Sequence, residues 1–221
     1  MSNIVQLTRE QELIENKPMI ALRYRLLGMA AIDPRWYSAV RALEFAVEKH
    51  EGQMRKNGGK YIAHPVAATN YVLTLSGLIN PVAAVAVTVM HDVGEDCGVS
   101  SQEFVDEFGS EIGDGVYAMS KVIDGRAKTL EEYAEGLARC KLASIAKPAD
   151  RIHNQSTMHG AFSATKQLAY VEEATNLILP VIKRARRKFP QQEAAYENCK
   201  LVLRSQIDMV RNMVTVPEQA A

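Results

Sequence analysis

The chain has little of what would place it in a special class. Its 221 residues include three cysteines, Cys97, Cys140 and Cys199, an odd number, far apart and without a CxxC pair. That spacing argues against a disulfide framework and against a thiolate zinc site, and predicts reduced thiols. Net charge is also missing, since 26 Lys and Arg balance 26 Asp and Glu. No overall field therefore draws the chain to nucleic acid or to an anionic membrane, and any phosphate binding must be local. Long apolar runs are absent as well. The longest largely apolar stretch without a charge, Pro81–Met90, is about half of what spans a bilayer. Arg9 and Glu10 stand where a signal peptide would be apolar, so a cytoplasmic protein without nucleic-acid or membrane partners is expected. There is no internal repeat and no low-complexity stretch. What is there is the balance of one globular domain, 47% hydrophobic and 24% charged, long enough to bury a core.

The hydrophobic pattern predicts an all-α fold. Between Ser38 and His50, Ala39, Ala42, Leu43, Ala46 and Val47 recur at helical spacing, which makes one buried stripe. His50 falls on that stripe and is expected to be a packed, hydrogen-bonded histidine. Arg55 to Lys60 contains paired glycines and predicts a mobile basic loop. Pro65 is expected to open a second helix through Leu75. Asn80 followed by Pro81 predicts a helix start, and the apolar run to Met90 a core helix that continues into His91–Asp96. The alternation of Val85, Val87 and Val89 also fits a buried strand. Ser100 with Glu103 and Thr129 with Glu132 fit capping boxes, and Gly109 a helix end. Pro148 is expected to break the helix over 141–157, so that Asp150 starts a fresh one. No strand is expected in the rest. Residues 1–34 read as a helical extension, 35–215 as the main domain and 216–221 as a flexible tail.

The candidate chemistry is concentrated in short clusters. His91-Asp92-Val93-Gly94-Glu95-Asp96 follows directly on the apolar run. On a helix His91 and Glu95, and Asp92 and Asp96, would share faces four residues apart, and three carboxylates that close repel unless a cation sits among them. The alternative is a solvated helix end. Asp150 and Asn154 share a helical face and could supply one carboxylate ligand and one nucleotide contact. His64 precedes Pro65, which predicts an extended backbone there; taken alone it reads as a structural histidine. His159 has no companions and is expected to be exposed. Lys183 to Lys188 reads as a solvated helical face.

These segments are familiar together. HEGQMRKNGGKYIAHP at 50–65, VMHDVGED at 89–96, FGSEIG at 108–113 and KPADRIHN at 147–154 resemble, in order and spacing, the hydrolase domain of the RelA/SpoT family. The resemblance implies an HD-superfamily fold over 35–215, a small stand-alone alarmone hydrolase of the stringent response, and metal-dependent removal of the 3′-pyrophosphate from ppGpp or pppGpp to give GDP or GTP. It implies one manganese ion held by His64, His91, Asp92 and Asp150. Two imidazoles and two carboxylates without thiolate suit such an ion. Glu95 and Asp96 match the catalytic acidic pair, and Arg55, Lys56 and Asn57 the nucleotide loop. Asn154 and Thr157 match nucleotide contacts, as do Lys128, Lys166 and Tyr170 more distantly; Gln53 and Tyr61 read as structural. Cys97, Ser156, Gly94 and Pro148 depart from the family pattern. Gly94 weakens a helix by about 1 kcal/mol against alanine. Two other readings stay open: a hydrolase of another nucleotide, such as NADPH or an adenine alarmone, and a non-catalytic nucleotide- or protein-binding module on the same scaffold. The oligomeric state is not readable.

Overall fold

In a computed structural model, which describes residues 9–56 and 58–215, helix α1 (Arg9–Ile32) turns Leu22, Leu26 and Ala30 inward at four-residue intervals. They are buried in one core with α2 (Tyr37–Lys49), whose stripe of Ala39, Ala42, Leu43 and Ala46 is fully covered. The tail expected at 216–221 lies outside the described residues. Helix α3 (Ala63–Val72) packs against α1. His64 is its second residue and is helical, not extended as Pro65 predicted. Pro65 occupies the third position, where a helical amide has no partner within the helix, so the proline costs no hydrogen bond.

Helix α4 (Pro81–Val89) starts as its sequence predicts: the Asn80 side chain accepts the amide of Ala83 at 3.1 Å, with Pro81 in the first turn. The segment is a helix and not a strand, and Val82 to Val89 are all buried within it. Each such valine contributes roughly 1.5–3 kcal/mol. The helix does not continue into the polar motif. It ends at Met90, and α5 (Val93–Asp96) is a separate turn. At this end the His91 Nδ1 donates to the Thr88 carbonyl at 2.7 Å, which holds the imidazole back against the last turn of α4.

Helices α6 (Ser101–Phe108) and α7 (Ser110–Met119) meet at Gly109. A Cβ on Gly113 would lie 2.6 Å from Val105 Cγ2, and one on Gly115 2.5 Å from Val87 Cγ2, so α7 is wedged between α6 and α4 and the FGSEIG segment is packing. A short antiparallel pair follows, β1 (Val122–Ile123) and β2 (Arg126–Ala127). It corrects the expectation of no strand. Asp124 and Gly125 both have positive φ, 53° and 71°, as a two-residue hairpin turn of the Asp-Gly type requires. Thr129 and Glu132 form the full capping box of α8 (Leu130–Arg139).

Helix α9 (Ala143–Thr157) runs through Pro148 unbroken, against the expectation of a fresh start there. The proline removes one donor from the Ser144 carbonyl, a cost of about 3 kcal/mol. Every residue from Ala143 to Ile152 is buried against α3, α4 and other helices, and that packing outweighs the lost bond. Asp150 therefore projects from mid-helix, not from a helix start. The chain closes with α10 (Ala164–Glu173), a π-helical turn (Ala174–Ile178), α11 (Leu179–Lys188) and α12 (Glu193–Thr215), which packs on α9 and α10. On α11, Arg184 pairs with Glu135 and Arg186 with Glu193 and Glu197, so two side chains of this basic run are held in surface ion pairs. No helix among the described residues is long and apolar enough to cross a membrane.

Candidate active site

Four polar side chains from three elements converge at the centre of the fold. His64 comes from the first turn of α3, His91 and Asp92 from the break between α4 and α5, and Asp150 from the middle of α9. The two imidazole Nε2 atoms face each other at 3.1 Å. Asp92 Oδ2 stands 3.0 Å from His91 Nε2 and 3.7 Å from His64 Nε2, and Asp150 Oδ1 3.0 Å and 3.5 Å from His64 and His91. Donors that share one ion at about 2.1 Å are spaced by about 3.0–3.5 Å at ordinary coordination angles. The donor atoms of His64, His91 and Asp92 lie mutually within 4.8 Å, and Asp150 reaches both imidazoles. The residues thus fit a divalent cation. Their outer contacts point the same way. The bond from His91 Nδ1 to the Thr88 carbonyl requires a proton on Nδ1, so Nε2, which faces the centre, is the nitrogen that can give up its proton to an ion, the arrangement of a ligating histidine.

The electrostatics favour a positive guest. Burial opposes a charged His91, yet Asp92 and Asp150 outweigh it and raise the imidazole to about 10. Burial likewise opposes charge on both aspartates, and is overcome for Asp92 by His91 and for Asp150 by Lys147, so both lie below the usual carboxylate range. Lys147 Nζ donates to Asp150 Oδ2 at 2.7 Å, and Asn154 Nδ2 to Asp150 Oδ1 at 2.6 Å. Tyr61 Oη donates to Asp92 Oδ2 at 2.6 Å. Burial and then the Asp92 charge push the Tyr61 phenol upward, so it remains a donor.

A cavity of about 520 Å³ opens beside this cluster; Glu95, Asp96, Arg55, Lys56, Lys166 and Tyr170 contribute to its wall. Both carboxylates of the acidic pair are exposed. Glu95 Oε1 accepts the backbone amides of Lys121 and of Val122, the latter at 3.2 Å, so the β-hairpin fixes that side chain. Arg55 Nη2 reaches Thr157 Oγ1 at 3.4 Å. The ammonium groups of Lys56 and Lys166 lie over the Phe162 ring, 5.8 Å and 4.0 Å from its centroid, and Lys56 lowers the pKa of Lys166. Two cations that close attract an anion.

Asn154 and Thr157 also line this cavity. Asn57 lies outside the described residues. Lys128 does not reach the cavity. Its ammonium donates to the Tyr117 carbonyl and sits 3.7 Å above the Tyr117 ring, and burial lowers it to about 8. His50 is buried with Nδ1 2.9 Å from Gln53 Oε1, and His159 is exposed, both as expected.

Several residues of the site escaped sequence reasoning. Lys147 precedes its partner Asp150 by three residues, a helical spacing that would have pointed to it, whereas Tyr61 reaches Asp92 across the fold. Arg151 is buried, donates to Glu173 Oε2 at 2.7 Å and stacks on Tyr170 at 4.5 Å. His153 sits behind His64, its Nδ1 2.7 Å from His64 Nδ1. Burial and then the charges of His64 and Arg55 push its pKa down to about 3, so its ring is neutral.

Comparison with known proteins agrees with this geometry. A family model described as HD domain matches residues 42–188. The chain is 35% identical over 154 residues to a probable guanosine-3′,5′-bis(diphosphate) 3′-pyrophosphohydrolase of Synechocystis, and 30% over 161 residues to a guanosine-3′,5′-bis(diphosphate) 3′-pyrophosphohydrolase of Spiroplasma citri. It is 33% identical over 150 residues to a probable GTP pyrophosphokinase of Mycobacterium leprae. These matches cover 65%, 69% and 65% of the chain, and 20%, 21% and 19% of the respective relatives. The chain thus spans about a fifth of the length of the curated relatives it matches. A buried His-His-Asp cluster joined by an aspartate from α9, within a helical core matched over 42–188, leads to one assignment: the chain belongs to the HD domain family.

Proposed function

We propose that the chain removes the 3′-pyrophosphate of ppGpp or pppGpp, releasing pyrophosphate and GDP or GTP, with a manganese ion held by His64, His91, Asp92 and Asp150. The observation that carries this reading is one cavity that joins the four-donor cluster to an acidic pair, Glu95 and Asp96, and to the cations Arg55, Lys56 and Lys166. A site for a neutral substrate would have no use for that clustering of positive charge. Two relatives carry the corresponding hydrolase name. Imidazole and carboxylate donors without thiolate suit a borderline-to-hard divalent ion, and manganese is the one the family resemblance implies. We assign the activity to the body of the chain, 35–215, against which α1 packs.

In this reading a bound divalent ion supplies Lewis-acid polarisation of the phosphoryl group and a more acidic water. The protein supplies the rest. Arg55 and the Lys56–Lys166 pair bind the pyrophosphate and hold it in the cavity. Asn154 and Thr157, with Tyr170, contact the nucleoside side. Glu95, its Oε1 clamped by the hairpin amides, and Asp96 orient water and accept its proton. Water oxygen bonds to the phosphorus attached at O3′ while the P–O3′ bond breaks, and O3′ leaves with a proton as the free hydroxyl. Tyr61, Lys147 and Asn154 hold the ligand carboxylates in position.

The test is a substrate panel of ppGpp, pppGpp, GTP, NADPH and an adenine 3′-pyrophosphate at fixed manganese. The expected order puts the guanosine 3′-pyrophosphates first, and Arg55→Ala raises their KM with the fold unchanged. Equal rates on GTP and ppGpp would overturn the proposal.

A further inference from the structure

His64 stands with one ring nitrogen at the four-donor cluster and the other against a second imidazole. Its Nε2 lies 3.1 Å from His91 Nε2 and 3.0 Å from Asp150 Oδ1, while its Nδ1 lies 2.7 Å from His153 Nδ1. The His64 and His153 rings meet edge to edge along this line, with centroids 4.9 Å apart and planes 29° apart. A separation of 2.7 Å between two nitrogens is a hydrogen bond, and a hydrogen bond has one proton. One Nδ1 therefore donates and the other accepts, and a neutral imidazole carries a single N–H.

The donor cluster decides the direction. If His64 offers its Nε2 lone pair to a divalent ion, its proton resides on Nδ1. His153 Nδ1 must then be the acceptor, and the proton of His153 moves to Nε2. If Nε2 of His64 instead carries the proton and donates to Asp150 Oδ1, the bond to His153 reverses. The outer partner of a ligating histidine is ordinarily a carbonyl or carboxylate that can only accept, as Thr88 is for His91. His153 can serve both directions, and its position is itself fixed by α9, where Ser156 and Thr157 hydroxyls cap its carbonyl at 2.8 Å and 3.0 Å.

We propose that His153 is a positioning residue for the metal site: by accepting the His64 Nδ1 proton it sets the tautomer that turns the His64 Nε2 lone pair to the ion. This rests on the four-donor metal reading above. It assigns no contact with substrate to His153.

The direct test uses the native protein, labelled with ¹⁵N-histidine and titrated with zinc as a diamagnetic stand-in, with imidazole ¹⁵N shifts read before and after loading. The loaded protein should show His64 protonated at Nδ1 and His153 at Nε2; His153 protonated at Nδ1 in the loaded state would overturn the inference. In parallel, manganese affinity is measured calorimetrically without nucleotide. His153→Leu, which cannot accept, should weaken binding by about 10-fold to 100-fold, and His153→Asn, whose Oδ1 takes the place of Nδ1, should stay within a few-fold of native. Thermal melts confirm that each variant is folded. Native affinity in His153→Leu, or equal losses in both folded variants, would contradict the proposal. Asp92→Ala separates the two readings, because if it binds manganese as the native protein does, the metal centre itself is misassigned and this inference falls with it.

Discussion

Tyr61 Oη donates to Asp92 Oδ2 at 2.6 Å, and that same oxygen stands 3.0 Å from His91 Nε2. The tyrosine ring lies against the buried His50 ring, with centroids 4.8 Å apart, so a residue of the basic loop's far end orients a candidate metal ligand. Removing the hydroxyl frees the carboxylate to turn. Tyr61→Phe is expected to keep the fold and to weaken manganese binding by about 10-fold, measured by calorimetry; unchanged affinity would show the contact to be incidental.

Gly94 is buried, and a Cβ there would lie 3.0 Å from Ser120 Oγ and 3.2 Å from Ile123 Cδ1. The glycine that weakens the helix also lets α5 dock on the hairpin that holds Glu95. Gly94→Ala gains about 1 kcal/mol of helix propensity and meets an overpacking cost of about 1–3 kcal/mol. The net expectation is a lower melting temperature together with reduced turnover. A more stable and fully active variant would show that the neighbours give way freely.

Glu95→Ala and Asp96→Ala are each expected to lower turnover by about 10² or more while the bound metal is retained, as befits groups that act on water. Metal analysis alongside kinetics distinguishes this from ligation. Loss of metal in both, with activity regained at excess manganese, would make them ligands.

Cys199 is buried, and burial pushes its thiol up to about 12. A thiol with that value is ionised to about one part in 10⁴ at pH 8. Native protein at pH 8 should therefore leave Cys199 unmodified by a thiol reagent, and denaturant should release it. Peptide mapping after labelling checks this, and rapid native labelling of Cys199 would contradict the burial described.

Much of the fold and of the site is legible in the sequence. Asn80-Pro81 and the Thr129–Glu132 box announce helix starts because capping is local chemistry, and the motifs at 50–65, 89–96 and 147–154 named the donors that the structure brings together. The rest depended on distant partners. The Asp124-Gly125 turn was a readable hairpin signal that the surrounding helical pattern obscured. Pro148 lies inside α9 because packing on several sides outweighs one lost bond, a balance no local window contains. His153 acquires meaning only once α9 is set against α3, since its partner His64 is 89 residues away.

The central claim is tested most directly by incubating the purified protein with ppGpp and manganese and resolving the products by ion-exchange chromatography. The account predicts GDP and pyrophosphate in equal amounts, lost with chelator, restored by added manganese and absent for Asp92→Ala. Unconsumed ppGpp under these conditions, or orthophosphate in place of pyrophosphate, would contradict it.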